Sequence, residues 1–334
     1  MRLRSPLPAC VLVAVAAAGC SKSSTSPSDA APDRVLEGVA VSAVDGAPAA
    51  GLSVQVGSAK AVTTDAAGRF TAEISSPGDY TAVVSGSSIV ERRTKVTGPT
   101  SVPARLSLMP ASFDVHAFDE MFRTANARLQ RWTTRPALVV LGTVMNFRGD
   151  AEEFAATPEQ MTDDEVSLLI AHLNEGLALL TGGTYTSFAE VTVERPASGE
   201  RTSVARPGAI VVGRYNGIMT FAQTIGYGRW ADSSDGSVVA GAMFLDRGFD
   251  KDDDRRRLLR IHELGHALGQ LHVQTRTSIM NPSVGPDPTE FDRQAGIVAF
   301  QRQPGNVSPD TDPGTTTSAG WNIQWAAPVR CTLR

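Results

Sequence analysis

Disulfide chemistry is all but missing from this sequence. Its 334 residues hold three cysteines: Cys10 and Cys20 near the start and Cys331 near the end. That spacing offers no framework of paired bridges, so the fold must rest on its apolar cores. A surplus of one charge is missing as well. The 31 Lys and Arg are set against 35 Asp and Glu, a net charge of −4, and no basic excess marks a nucleic-acid binder. Aromatic residues are few, at 6%, while thirty glycines and twenty prolines punctuate the chain. Such punctuation fits many strands and turns rather than a helical bundle. With 42% hydrophobic and 20% charged residues, the composition excludes a multi-span membrane protein and a wholly disordered chain. The length suits two domains.

What is present begins with an export signal. Arg2 and Arg4 precede an apolar run from Ala9 to Ala18, too short to span a bilayer, so residues 1–20 read as a signal peptide. The ending Ala17-Ala18-Gly19-Cys20 resembles a bacterial lipobox, in which Cys20 becomes the lipidated first residue. Ala17 stands where leucine is usual, and ordinary secretory cleavage after Ala16-Ala17-Ala18 is the alternative. Residues 21–33 are rich in Ser and Pro and suit a flexible linker. The expected location is a bacterial envelope, held at the membrane through a lipid on Cys20, or free secretion.

Residues 34–109 read as strand throughout. Val35, Val39 and Val41 alternate, as do Leu52, Val54 and Val56, and runs at 69–74 and 80–84 follow. Turn residues such as Asp45-Gly46, Ala67-Gly68 and Pro77-Gly78-Asp79 separate them. Short strands at this spacing predict a small all-β sandwich. Past Pro110 the pattern changes. Phe118, Met121, Phe122, Ala125 and Leu129 form one stripe of a helix over 113–132, and an apolar strand covers 137–141. Thr162 and Glu165 frame a capping box for a helix that runs to Leu180, where Gly182-Gly183 ends it. Strands are expected at 187–194, 209–214 and 237–246, and helices at 252–268 and 289–301. The glycine-rich stretch from Tyr215 to Gly236 fits no single pattern. Residues 112–303 thus form a mixed α/β (α+β) domain. A tail, 304–334, follows, in which Trp321, Ile323 and Trp325 alternate as a docking strand would.

Three of the five histidines fall within His262-Glu263-Leu264-Gly265-His266-Ala267-Leu268-Gly269-Gln270-Leu271-His272. His262 and His266 are one helical turn apart and project from one face. Imidazoles placed so can both reach one Zn²⁺ at about 2.0–2.1 Å. Glu263 leans over the metal without binding it. Gly269 can stop the helix, because it adopts a left-handed conformation without strain, and the returning chain brings His272 as third ligand. Three protein ligands leave a fourth position for water, the mark of a catalytic site. The other two histidines, His116 and His172, lie on distant helical stretches and read as ordinary helix residues.

The pattern H-E-x-x-H-x-x-G-x-x-H is matched at every fixed position and resembles the metzincin zinc signature. Ser278-Ile279-Met280-Asn281-Pro282 resembles the Met-turn of those enzymes in its matrixin-like form, with Met280 under the metal. The run from Phe291-Asp292 to Phe300 resembles the closing helix of matrixins, and 238–245 the strand before their active-site helix. Thr64 to Phe70, with Gly78-Asp79-Tyr80, is similar to the carboxypeptidase regulatory-like (transthyretin-like) domain, which implies a structural or spacer module. Together the resemblances imply a multidomain chain: a β-sandwich, then a metzincin domain with a twisted sheet, an active-site helix and a Met-turn. Two family features are not expected. No histidine lies between His172 and His262 to bind a second, structural zinc. No inhibitory cysteine segment precedes the catalytic domain; Val329-Arg330-Cys331 is only faintly similar to one and stands at the opposite end of the chain.

The acidic run from Asp246 to Asp254 allows a calcium site, as matrixins bind calcium. Its spacing is not that of an EF-hand, and acidic residues at a helix N-terminus, complementing the macrodipole, explain it better. The expected activity is that of an exported zinc endopeptidase with one zinc on His262, His266 and His272, Glu263 as general base and acid, and a protein or peptide substrate. Two alternatives stay open: a surface binding or adhesion module with a vestigial protease fold, and a zinc hydrolase of non-peptide substrates.

Overall fold

In the computed structural model, residues 34–123, 127–314 and 324–331 are described. The signal and linker readings, and with them Cys20, lie outside the described residues, as do Trp321 and Ile323. The chain opens with seven strands: β1 (Val35–Ser42), β2 (Ser53–Val56), β3 (Val62–Thr63), β4 (Arg69–Glu73), β5 (Gly78–Ser85), β6 (Arg92–Gly98) and β7 (Ala104–Leu108). They form one sheet in the order β4-β1-β7 and another in the order β3-β2-β5-β6. Period-two patterning decides what each face does. In β4, Phe70 and Ala72 are buried while Arg69, Thr71 and Glu73 face water. Leu36 and Leu106 of the first sheet meet Val54, Ala82 and Val84 of the second in one apolar cluster, so the two sheets share a core as the alternation predicts.

The rest of the chain is mixed α/β and rich in strand. It runs α1 (Val115–Phe122), β8 (Arg131–Trp132), β9 (Ala137–Asn146), β10 (Glu153–Gln160), α2 (Asp163–Leu180), β11 (Val191–Glu194), β12 (Arg201–Ser203) and β13 (Ala209–Asn216). There follow α3 (Ile218–Ala222), β14 (Gly226–Asp232), β15 (Ser237–Asp246), α4 (Arg247–Asp252), α5 (Arg256–Ala267) and α6 (Glu290–Phe300). The described tail gives β16 (Gln324–Trp325) and β17 (Val329–Cys331). One large sheet follows the path β12-β10-β9-β13-β15-β14-β16, with β8, β11 and β17 paired beside it. Strand β13 runs parallel to both β9 and β15, while β14 is antiparallel to β15. Both faces are buried. Leu138, Val140, Val212 and Met243 enter a core shared with α2, α5 and α6. Val139, Leu141, Val211 and Phe244 enter a second core on the other face. Strands buried on both sides read as continuous apolar runs, which is why β9 and β15 were legible.

Two sequence expectations need correction, and one unassigned stretch is resolved. The helix expected over 113–132 ends at Phe122. Asp114 caps its start, accepting from Ala117 N at 3.0 Å, and Arg123 leaves it with φ −112° and ψ 113°. Leu129 is buried as its stripe demands, but in a loop, where its N–H donates to Asn306 O at 2.8 Å. The helix expected over 252–268 is two helices, because Asp253 turns extended at ψ 136°. The glycine-rich stretch holds α3 and a full strand, β14. Elsewhere the boxed start of α2 is present: Thr162 Oγ1 accepts from Glu165 N, and Glu165 accepts from Thr162 N.

Candidate metal centre

Helix α5 carries His262, Glu263 and His266, all fully buried or nearly so. The helix lies close on the sheet because β14 offers no side chains beneath it at two positions. A Cβ added at Gly228 would lie 2.6 Å from Glu263 O, and one at Gly226 would lie 2.9 Å from Glu263 Oε1. Past Leu268 the chain turns at Gly269, whose φ of +96° suits glycine, as expected. Leu271 N donates to Met121 O at 2.8 Å, and Trp132 Nε1 donates to Ala267 O at 3.1 Å. The turn is therefore pinned before it delivers His272.

The three imidazoles converge. His262 Nε2 lies 3.0 Å from His266 Nε2 and 3.3 Å from His272 Nε2. Tetrahedral ligands at about 2.0–2.1 Å from one ion stand roughly 3.3 Å apart, so the donor spacing fits a metal. The tautomers agree. His262 Nδ1 meets Ile279 O and His266 Nδ1 meets Gln270 O, each at 2.7 Å. A carbonyl only accepts, so each Nδ1 carries the proton and each Nε2 turns a lone pair inward. Burial, with the neighbouring His272, pushes His262 down to about 3. Burial also holds His266 well below the ordinary value and brings His272 to about 4. The rings are neutral donors at neutral pH. Glu263 is the odd member: both carboxylate oxygens are buried without a protein partner, and burial raises its pKa well above the ordinary range. Among the described residues, His262, His266 and His272 form a group that could hold a metal ion.

Met280 lies beneath this group, fully buried. A Cβ at Gly265 would overlap its sulfur and come 2.7 Å from its Cε, so the turn touches the helix between the first two histidines. Sequence reasoning missed what holds the turn in place. Asp292, at the start of α6, accepts from Ser278 Oγ, from Ile279 N at 3.2 Å, and from Thr289 N and Oγ1 at 2.6 and 2.8 Å. It fixes Ile279, whose carbonyl orients His262. The spacing Thr289 to Asp292 signals a capping box but gives no hint of the turn. Beside the turn lies a cavity of about 670 Å³ between 273–277 and 281–286.

The acidic run does not converge on one point. Asp246 caps α4 through Phe249 N at 3.0 Å. Asp250 is buried between Arg214 Nε and Arg260 Nε, each at 2.6 Å. Asp253 pairs with Arg255. Of the run, Asp250 lies in the first turn of α4, where the expected macrodipole complement acts, while α5 has no acidic residue in its first turn; the ion pairs were not read from the sequence, and among the described residues no three of these carboxylates gather. His116 is exposed on α1; His172 on α2 meets Arg260 Nη1 at 3.1 Å. A residue from the far end does enter the site. Cys331, fully buried, places its sulfur within 4.8 Å of ligand atoms of His262 and Glu263. Comparison with protein-family models and with curated proteins gave no match for this chain.

Proposed function

We propose that this chain is an exported zinc endopeptidase of the matrixin-like metzincin kind, in which a β-sandwich precedes the catalytic domain. The observation that carries the reading is the convergence of three inward Nε2 atoms beside a buried carboxylate with no protein partner. His262, His266 and His272 would hold the zinc. When bound, the ion supplies Lewis acidity, acidifying water and polarising a carbonyl. The chain supplies the rest. Ile279 O and Gln270 O keep the two helical imidazoles in the donor tautomer. The Glu263 carboxylate takes a proton from the attacking water and returns it to the leaving amine nitrogen. Its apolar setting suits both tasks, since a raised pKa makes it a stronger base and a ready donor. The cavity along 281–286 is where a substrate side chain would sit.

Glu263→Gln tests the assignment. The amide keeps the shape and loses the base, so zinc should remain at one per chain. General acid–base catalysis typically contributes about 10²–10⁴-fold, and peptide cleavage should fall by at least that much. Elemental analysis and cleavage of a peptide library read the two halves. Unchanged cleavage by the variant would place the base elsewhere.

A further inference from the structure

Gln270 falls on a position that the pattern H-E-x-x-H-x-x-G-x-x-H leaves free, yet three of its groups are held. The residue is fully buried. Its N–H donates to Gly265 O at 2.9 Å, and its carbonyl accepts from His266 Nδ1 at 2.7 Å. Its side-chain Nε2 donates to Leu180 O at 3.1 Å. Leu180 is the last residue of α2, and the carbonyls of a final helical turn need partners from beyond the helix. Thr181 N, Gly182 N and Gly183 N serve Leu177 O, Leu179 O and Ala178 O, and the Gln270 amide serves Leu180 O. Helix α6 closes over the same carbonyl, since a Cβ at Gly296 would lie 2.7 Å from it.

The other half of the amide is unmet. Among the described residues Oε1 is buried with no hydrogen-bond partner. A Cβ at Gly265 would lie 3.2 Å from this oxygen and would overlap the Met280 sulfur, so the amide stands where α2, α5 and the Met280 turn meet. A buried acceptor without a partner costs stability, a cost that an apolar side chain of the same length avoids. Filling space therefore does not explain a glutamine here; what the amide adds is its N–H to Leu180 O. The residue follows Gly269, whose φ of +96° lies in the region open to glycine. Without a side-chain tether the peptide after that glycine can swing, and the carbonyl that meets His266 would swing with it.

We propose that Gln270 is a positioning residue: its side-chain amide, braced on the end of α2, holds the Gln270 carbonyl on His266 Nδ1 and so keeps His266 Nε2 aimed at the metal. The inference rests on the zinc peptidase reading above.

Gln270→Met tests this in the full chain, because methionine matches the length and loses the donor. Zinc affinity, read by competition with a chelator, should fall about 10–100-fold, as is typical when the partner behind a metal-bound histidine is lost, while saturation still reaches one zinc per chain. In the metal-free parent, two-bond proton–nitrogen correlation should show His266 as one tautomer, protonated at Nδ1; in Gln270→Met it should show both. Val211→Ala, in the core on the opposite face of the sheet, lowers stability without touching the site and should keep both readouts of the parent. Gln270→Asn, whose amide is one methylene short of Leu180 O, should follow Gln270→Met and serves if the methionine variant does not fold. Parent-like zinc affinity or an unchanged His266 tautomer in a folded Gln270 variant would overturn this inference alone. An equal loss of affinity in Val211→Ala would reduce Gln270 to general packing and overturn it as well. A parent that binds no zinc would bring down the peptidase reading itself, and this one with it.

Discussion

Burial and protonation set the three histidines against the unfolded chain. Folded, His262 titrates at about 3 and His272 at about 4, and His266 is held well below the ordinary value. Unfolded, each titrates near about 6.5. Between those values the unfolded chain binds protons that the folded chain refuses, so stability rises with pH across the window. The contribution is complete above about pH 6.5 and is lost as pH falls toward 3–4. His172, lowered first by burial and then by Arg260, adds in the same sense. Glu263 works the other way: its pKa is raised, so its share is present below its ordinary value and shrinks as pH rises. The Cys331 thiol, raised by burial, stays neutral throughout. Metal-free chain should therefore melt at lower temperature at pH 5 than at pH 7, with a smaller drop in His272→Gln. A flat profile in both would contradict the assignment. At this scale the sequence was most legible. His262, Glu263 and His266 share one helix, Gly269 ends it and His272 returns to the group as their spacing implies, because one helix and one turn fix them locally, whereas Met280, placed by resemblance, packs against Gly265. Asp292 and Cys331 were not legible, because their meaning lies in partners that only the fold brings near.

Strand β14 shows why one element stayed hidden. Its sequence, Gly226 to Asp232, opens with two glycines on either side of Tyr227, and glycine weakens a strand signal. The glycines are there for the helix above. A methyl at Gly228 would press on the Glu263 carbonyl at 2.6 Å and on His266 Cβ, and backbone cannot swing aside. Gly228→Ala should lower stability by about 1–3 kcal/mol, as overpacking does, and weaken metal binding by shifting the histidines. Gly285→Ala, where an added methyl meets nothing within 4 Å, should change neither. Urea unfolding and competition for metal with a chelator would measure both; equal midpoints and affinities for the two variants would refute the packing argument. The overlong reading of the first helix has a related cause. Its stripe continues through Leu129 because that residue is buried, yet the burial comes from a loop held by Asn306. Apolar spacing reports burial, and burial does not require helix.

The whole molecule is tied together by charges that no local pattern reveals. Residues 304–312, read from sequence as the start of a tail, lie between the sandwich and the part that carries the candidate metal centre. Asp310 accepts from Arg92 Nη1 at 2.7 Å, from Arg302 Nε and Nη2 at 2.7 and 2.8 Å, and from Asn306 Nδ2 at 3.1 Å. Asp312 accepts from Arg92 Nη2 and Thr94 Oγ1, each at 2.7 Å. Arg92 and Thr94 belong to β6 of the sandwich, more than two hundred positions away. All of these side chains are buried, and Arg93 N adds a backbone bond to Asp310 O at 3.0 Å. Arg34 to Arg334 accordingly form one compact unit, in which the sandwich is docked. Buried charges of this kind are weak evidence of net stabilisation, but removing one partner leaves the others uncompensated. Asp310→Asn keeps the shape and leaves Arg92 with Asp312 alone and Arg302 without a carboxylate. The expected loss is about 3–5 kcal/mol. It should appear as a lower urea midpoint and as faster proteolytic cutting around residues 109–112, where the sandwich joins the larger part. Cleavage of peptides per folded molecule should hold steady, because Asp310 touches none of the metal-centre residues. An unchanged midpoint with unchanged protease resistance would mean that apolar packing alone docks the sandwich, and that the arginine–aspartate cluster contributes nothing to it.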